Sequence, residues 1–217
     1  MPDYDALREA MVDTQVRPSD VTRLPIIEAL LAVPREEFAP AALRSAAYIG
    51  ENLPLGRNRT ILEPRTFAKM LEAIDLGPGD LVLDLGCGLG YSAAVMARMA
   101  DAVVAVEEDP AMAKESEALL GEWGADNVAV ERAPLAEGAP RHGPYDAIVI
   151  EGAVEEIPAA IADQLKEGGR IVALFMEDTL GVARIGRKVE GALSWRFIFN
   201  ASAPVLPGFE RAHEFQF

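Results

Sequence analysis

LDLGCGLGYSAAV, residues 83–95, decides the fold. Its first three residues close an apolar run, LVLDL (81–85), and its last residues open a helix, YSAAVMARMA (91–100). Between them stand Gly86, Gly88 and Gly90. Glycines there let a backbone reach positive φ and pass close to a ligand. The helix start beyond them offers unpaired N–H groups. The next apolar strand, AVVAVE (102–107), closes on Glu107, which lies 21 residues after Gly86. A carboxylate in that place can accept hydrogen bonds from both hydroxyls of a ribose. Glu108 follows it on the same loop.

The pattern continues on both sides. Pro64 opens a helix with Phe67, Met70, Leu71 and Ile74 on one stripe, and Gly77 closes it. Asp109-Pro110 caps a helix that runs to Gly121 or Gly124. NVAVE (127–131), YDAIVIE (145–151) and RIVALF (170–175) read as strands. Pro158 opens a helix that ends at Gly168-Gly169. Strands with continuous apolar runs, alternating with helices, predict a parallel sheet covered on both faces. GVARIGRKV and LSWRFIFNA flank Glu190-Gly191 and predict a β-hairpin. The expected fold is α/β and doubly wound, a mostly parallel Rossmann-like sheet with an antiparallel edge hairpin.

Residues 1–57 read differently, as an N-terminal helical extension that covers the domain formed by 58–217. Leu7, Ala10, Met11 and Thr14 share one helical face. A second helix starts near Pro25 and stops before Pro34. VPREEFAP and NLPLG read as irregular connectors.

Composition limits the function. The chain has 217 residues and a formal net charge of −15, which argues against nucleic acid as its partner. One cysteine gives no disulfide framework and fits a reducing cytosol. No leader-like or membrane-spanning apolar run is expected, and the predicted location is cytoplasmic. His142 and His213 are the two histidines, and no cluster has metal-ligand spacing.

The nucleotide can be narrowed further. The dehydrogenase fingerprint needs a third glycine where this chain has Tyr91. What is present is D-x-G-x-G-x-G beginning at Asp84, which resembles motif I of class I S-adenosylmethionine methyltransferases. That resemblance implies S-adenosyl-L-methionine as cofactor. It implies that Asp84 serves the amino-acid end, that Gly86, Cys87, Gly88 and Gly90 pass beneath, and that Glu107 with Glu108 holds the ribose side.

MVDTQVR (11–17), VPREEF (33–38), Tyr48, LPLG (53–56), TILEP (60–64) and QLKEGGRIV (164–172) have the order and spacing of protein-L-isoaspartate O-methyltransferases. The resemblance covers about residues 7–175, and APVLPGF (203–209) matches loosely. It implies carboxyl methylation of isoaspartyl residues in a damaged peptide or protein. It also implies that the step Thr60-Ile61-Leu62 walls the reacting methyl. Two residues depart from the family. Leu62 replaces the serine of the T-I-S-x-P step. The turn after the third strand, ERAPLAEG (131–138), lacks the family's Asp near Ala133 or Pro134, which leaves Glu131 or Glu137 to hold the adenine end. Isoaspartyl methylation, methylation of another acceptor, and a non-catalytic cofactor-binding or interaction role all remain open.

Other residues have plainer expectations. Glu151 ends the fourth strand, either facing a ligand or as a solvated loop acid. Cys87 and Tyr91 are expected to pack, as are Trp123 and Trp195. Arg57 and Arg59 are either an exposed loop pair or a substrate-carboxylate contact. Phe209, Phe215 and Phe217 form an aromatic tail that docks on the body or on a partner. The oligomeric state is not legible.

Overall fold

The computed structural model describes residues 2–177 and 179–211. His213, Phe215 and Phe217 lie outside them. Six helices and nine strands carry the fold among the described residues. They are α1 (Tyr4–Met11), α2 (Leu24–Ala32), β1 (Leu53–Gly56), β2 (Arg59–Ile61), α3 (Pro64–Ile74), β3 (Leu81–Leu85), α4 (Tyr91–Met96), β4 (Ala102–Val106), α5 (Pro110–Glu122), β5 (Val128–Glu131), β6 (Tyr145–Val154), α6 (Ala159–Asp163), β7 (Leu165–Glu177), β8 (Leu180–Val189) and β9 (Ala192–Asn200).

Seven strands form one sheet in the order β5-β4-β3-β6-β7-β8-β9. β3 pairs in parallel with β4 and β6, and β7 continues the parallel set. β8 and β9 are antiparallel. The expected edge hairpin is present, with Glu190 (φ 52) and Gly191 (φ 78) both left-handed. That is the turn whose twist suits a two-residue hairpin. Strand order reverses at β3, so a crevice opens beyond the carboxyl ends of β3 and β6, where α/β sheets bind ligands.

The sheet is buried on both faces. Met11, Val16, Ile26, Leu30, Phe67, Met70 and Val95 pack on one face in a single apolar cluster. Leu135, Ile161, Leu206 and Phe209 pack on the other. Phe209 therefore docks on the body, fully buried.

Several local expectations change. After α1 the chain widens into a π-helical turn at Val12–Val16, which rotates the buried face. Met11, Val12 and Val16 are inside, while Leu7, Ala10 and Thr14 are exposed. α3 ends at Ile74 with Asp75 left-handed (φ 57), before Gly77 is reached. α4 stops at Met96 and continues as a turn whose Ala97 and Ala100 carbonyls accept from the Asn127 side chain. α6 stops at Asp163, since pairing of Tyr145 with Leu165 draws the chain into β7. Trp195 packs edge-on against Phe175, 4.8 Å between centroids. Trp123, in contrast, is 44% exposed at the end of α5.

The LPLG connector is β1, not an irregular loop. It pairs with β2 through a turn in which Arg57 (φ 51) and Asn58 (φ 58) are both left-handed. The Thr60 hydroxyl donates to Leu53 O at 3.0 Å and ties the two strands together. No helix among the described residues is long and apolar enough to cross a membrane.

Candidate active site

The glycine turn has the backbone its sequence requires. Gly86, Gly88 and Gly90 sit at φ 83, 57 and 95, where a side chain is strained. The turn is anchored from behind by Gly86 N–H donating to Val106 O at 2.9 Å. Cys87 is buried, with Sγ 4.0 Å from Ser116 Oγ. Burial pushes its thiol well up, so it is an inert packing group.

Four buried polar groups surround the turn, and each keeps an atom with no protein partner. These atoms are Asp84 Oδ1, Glu151 Oε1, Arg35 Nη1 and the Tyr91 hydroxyl. Asp84 ends β3, fully buried, with its other oxygen accepting from Ser92 Oγ at 2.7 Å. Glu151 is 3% exposed, so it is a buried acid and not a solvated one. Arg35 comes from the VPREEF loop. It donates to Ala47 O (2.7 Å) and Leu62 O (2.7 Å), and its guanidinium lies 5.0 Å over the Tyr91 ring. Tyr91 also packs against Phe38 and Phe67. Two unmet acceptors beside a guanidinium and a phenol that lie against each other suit a zwitterion, because a buried polar atom left without a partner is costly.

Burial sets the charge state of this cluster. It pushes the Asp84 carboxyl up to about 7, with Glu107 adding to the shift and the Ser92 hydroxyl opposing it. Burial and then Asp84 drive Glu151 well above the usual carboxylate range, and Arg35 opposes them. The folded protein therefore holds protons that the unfolded chain releases above pH about 4. Stability falls as pH rises through that window. Glu131, held low by its hydrogen bond from Arg141, acts in the other direction, but only in more acidic solution. The thermal midpoint is expected to be higher at pH 5.5 than at pH 8. A midpoint unchanged between them would mean that Asp84 and Glu151 are ionised while buried.

Glu107 lies just past β4, also fully buried. It accepts from Gly88 N (3.1 Å), Asp109 N (2.9 Å) and Arg59 Nε (3.0 and 3.2 Å). Arg59 reaches Glu108 as well, at 3.1 Å. Arg59 is thus a buried ion-pair partner and not half of an exposed loop pair. Arg57 is the exposed one and pairs with Asp109 at 2.8 Å.

The step beside the turn is apolar and enclosed. Thr60, Ile61 and Leu62 are 5%, 6% and 1% exposed. The Thr60 hydroxyl is spent on the hairpin, and Leu62 presents only carbon to its surroundings. Beyond the end of β5, Glu108, Arg132, Ala133 and Pro134 line a cavity of ≈ 390 Å³. Glu131 is engaged by Arg141 and lies 3.5 Å from His142, and the Glu137 side chain is exposed. Neither lines that cavity.

Arg35, Ser92, Leu55 and Leu206 were not singled out from sequence. Arg35 and Leu206 lie inside VPREEF and APVLPGF, which carried a resemblance without a role for either residue. Leu206 arrives because the tail runs alongside Ala153, with Leu206 N–H donating to Ala153 O at 2.9 Å.

A glycine turn after the first parallel strand, a buried acid preceding it and a second acid past the next strand define a class I methyltransferase domain. The protein-L-isoaspartate(D-aspartate) O-methyltransferase model matches residues 7–196, and the chain belongs to that family. A protein-L-isoaspartate O-methyltransferase 2 from Anaeromyxobacter sp. (strain Fw109-5) is 42% identical over 165 residues, 76% of this chain and 68% of the relative. One from Gloeobacter violaceus is 41% identical over 162 residues, 75% and 79% of the two chains. A solved protein-L-isoaspartate O-methyltransferase superposes with TM-score 0.79 at 26% identity, over 94% of this chain and 66% of that longer one. A Plasmodium falciparum structure in complex with S-adenosyl-L-homocysteine gives 0.78 at 20% identity, over 95% and 99%, which speaks to the fold alone.

Proposed function

We propose that this chain transfers the methyl group of S-adenosyl-L-methionine to the carboxylate of isoaspartyl residues in peptides or proteins. Family membership over residues 7–196 carries the reading. The unmet polar atoms fit it. Asp84 Oδ1 and Glu151 Oε1 suit the cofactor's ammonium, whose charge would favour their ionised forms, and Arg35 Nη1 and the Tyr91 hydroxyl suit its carboxylate. The cofactor supplies an electrophilic methyl on a sulfonium. The acceptor carboxylate is already a nucleophile at neutral pH and needs no base. The protein's part is alignment and exclusion of water, worth roughly 7–11 kcal/mol when complete. Arg35 holds the backbone of the Thr60-Ile61-Leu62 step in place through the Leu62 carbonyl, and that step forms the methyl-side wall. Residues 1–57 serve as the cover of this site. The acidic surface favours a protein substrate over nucleic acid, and the single buried thiol favours the cytoplasm.

One observation favours a second reading, a relative that holds cofactor without isoaspartyl turnover. Leu62 offers no hydroxyl beside the methyl, and its side chain is locked in the core. The test is methyl transfer from labelled cofactor to an isoaspartyl peptide, with the aspartyl peptide as control. Turnover confined to the isoaspartyl peptide is expected. Cofactor binding without turnover would select the second reading. Leu62→Ser belongs beside it, assayed well below its own melting point. Truncating a buried leucine costs about 2–5 kcal/mol, so its midpoint should drop by roughly 4–20 °C.

A further inference from the structure

Glu107 stands where the cofactor reading needs an acceptor for the ribose hydroxyls, and three N–H donors of its own chain already hold both of its oxygens. A carboxylate offers about four acceptor sites. Oε1 is used by Arg59 Nε (3.2 Å) and Asp109 N (2.9 Å), and Oε2 by Arg59 Nε (3.0 Å) and Gly88 N (3.1 Å). The two backbone donors belong to the turn itself. Arg59 is the removable one.

The same hairpin covers the turn. Leu55, on β1, lies so close to Gly88 that a Cβ built there would meet its Cδ1 at 2.5 Å. β1 and β2 thus deliver two groups to one place, Leu55 onto the second glycine and Arg59 onto the acid. Their turn is two residues, Arg57 and Asn58, pinned outside by the Arg57–Asp109 pair at 2.8 Å. Glu108, 33% exposed, is a second carboxylate for Arg59, nearer solvent.

We propose that Arg59 is a gate on the nucleotide cleft. Its ion pair with Glu107 holds the β1–β2 hairpin shut over the glycine turn. The cofactor enters by displacing Arg59 from Glu107, and Arg59 keeps Glu108 as its partner when it leaves. This rests on the cofactor reading above. It makes the native protein a weak binder whose affinity is set by a residue that need not touch the reacting atoms.

The test is a calorimetric titration with S-adenosyl-L-homocysteine of the native protein and Arg59→Gln, with circular dichroism confirming that the variant is folded. Arg59→Gln should bind at least tenfold more tightly. A second measurement needs only the native fold. The Arg59 Nε–H resonance, in protein labelled with ¹⁵N at arginine and assigned with Arg59→Lys, should exchange slowly without ligand and rapidly at saturation. Equal or weaker binding by a folded Arg59→Gln overturns the gate, and so does a protected Nε–H in the saturated native protein. No binding by either protein overturns the cofactor reading itself and the gate with it.

Discussion

Arg35→Ala is expected to lower the unfolding free energy by several kcal/mol, because each buried acceptor left without a donor costs about 1–3 kcal/mol. Arg35 is 1% exposed and belongs to no helix or strand. Its Nε donates to Ala47 O at 2.7 Å, and its Nη2 to Leu62 O at 2.7 Å and Ile61 O at 3.4 Å. One planar fork thus joins the loop after α2, the segment before β1 and the Ile61-Leu62 step. Alanine would strand two or three buried carbonyls and leave Glu151 without the cation that opposes its burial. Arg35→Lys should recover little, because an ammonium cannot reproduce the fork. Equilibrium urea unfolding measures the loss, and a change below about 1 kcal/mol would mean that water replaces the guanidinium at those carbonyls. Cofactor affinity should fall in any folded Arg35 variant, since Leu62 O then loses the bond that fixes its position.

The second large effect concerns the pair at the mouth of the turn. Glu107→Gln removes one of the two counter-charges of an arginine whose side chain is 1% exposed and leaves it Glu108 at 3.1 Å. Roughly 1.5–3 kcal/mol should be lost, the range for a hydrogen bond to a charged group. The double variant Glu107→Gln/Arg59→Gln should be more stable than the sum of the single changes predicts. Residues in direct contact couple by about 0.5–3 kcal/mol, and this pair should lie at the upper end. Urea unfolding of the four proteins closes the cycle. Additivity within about 0.5 kcal/mol would show that Arg59 and Glu107 do not depend on each other. The double variant separates stability from binding, because it recovers the fold while lacking the carboxylate proposed to accept from the ribose.

These effects mark the boundary between what was legible in the chain and what was not. The glycine turn, the strand–helix alternation and the Glu190-Gly191 hairpin were legible because each is a local demand. Positive φ calls for glycine, and a strand buried on both faces must be apolar along its length. Asp84 and Glu107 were legible for the same reason, since their places follow from the strand ends. The hairpin at Arg57-Asn58 was missed because its two central left-handed residues are an arginine and an asparagine, with the glycine one place earlier at Gly56. The exposed face of α1 was misjudged because the π-helical turn that follows it changes the phase of the burial pattern.

The destinations of long side chains were beyond local pattern. Arg59 meets an acid 48 residues away, and Arg35 a carbonyl 27 residues away. No periodicity connects those positions. Leu206 reaches the glycine turn only because the tail runs beside β6, and a built Cβ on Gly86 would sit 3.1 Å from it. The sequence by itself determined the sheet, its nucleotide turn and the family, through residues whose backbone or burial needs are satisfied within a few positions. Only the tertiary structure decided which charges are spent on one another and which atoms remain open to a ligand. Those outcomes depend on the order in which strands and loops meet, and a buried ion pair forms between whichever partners that packing brings within about 3 Å.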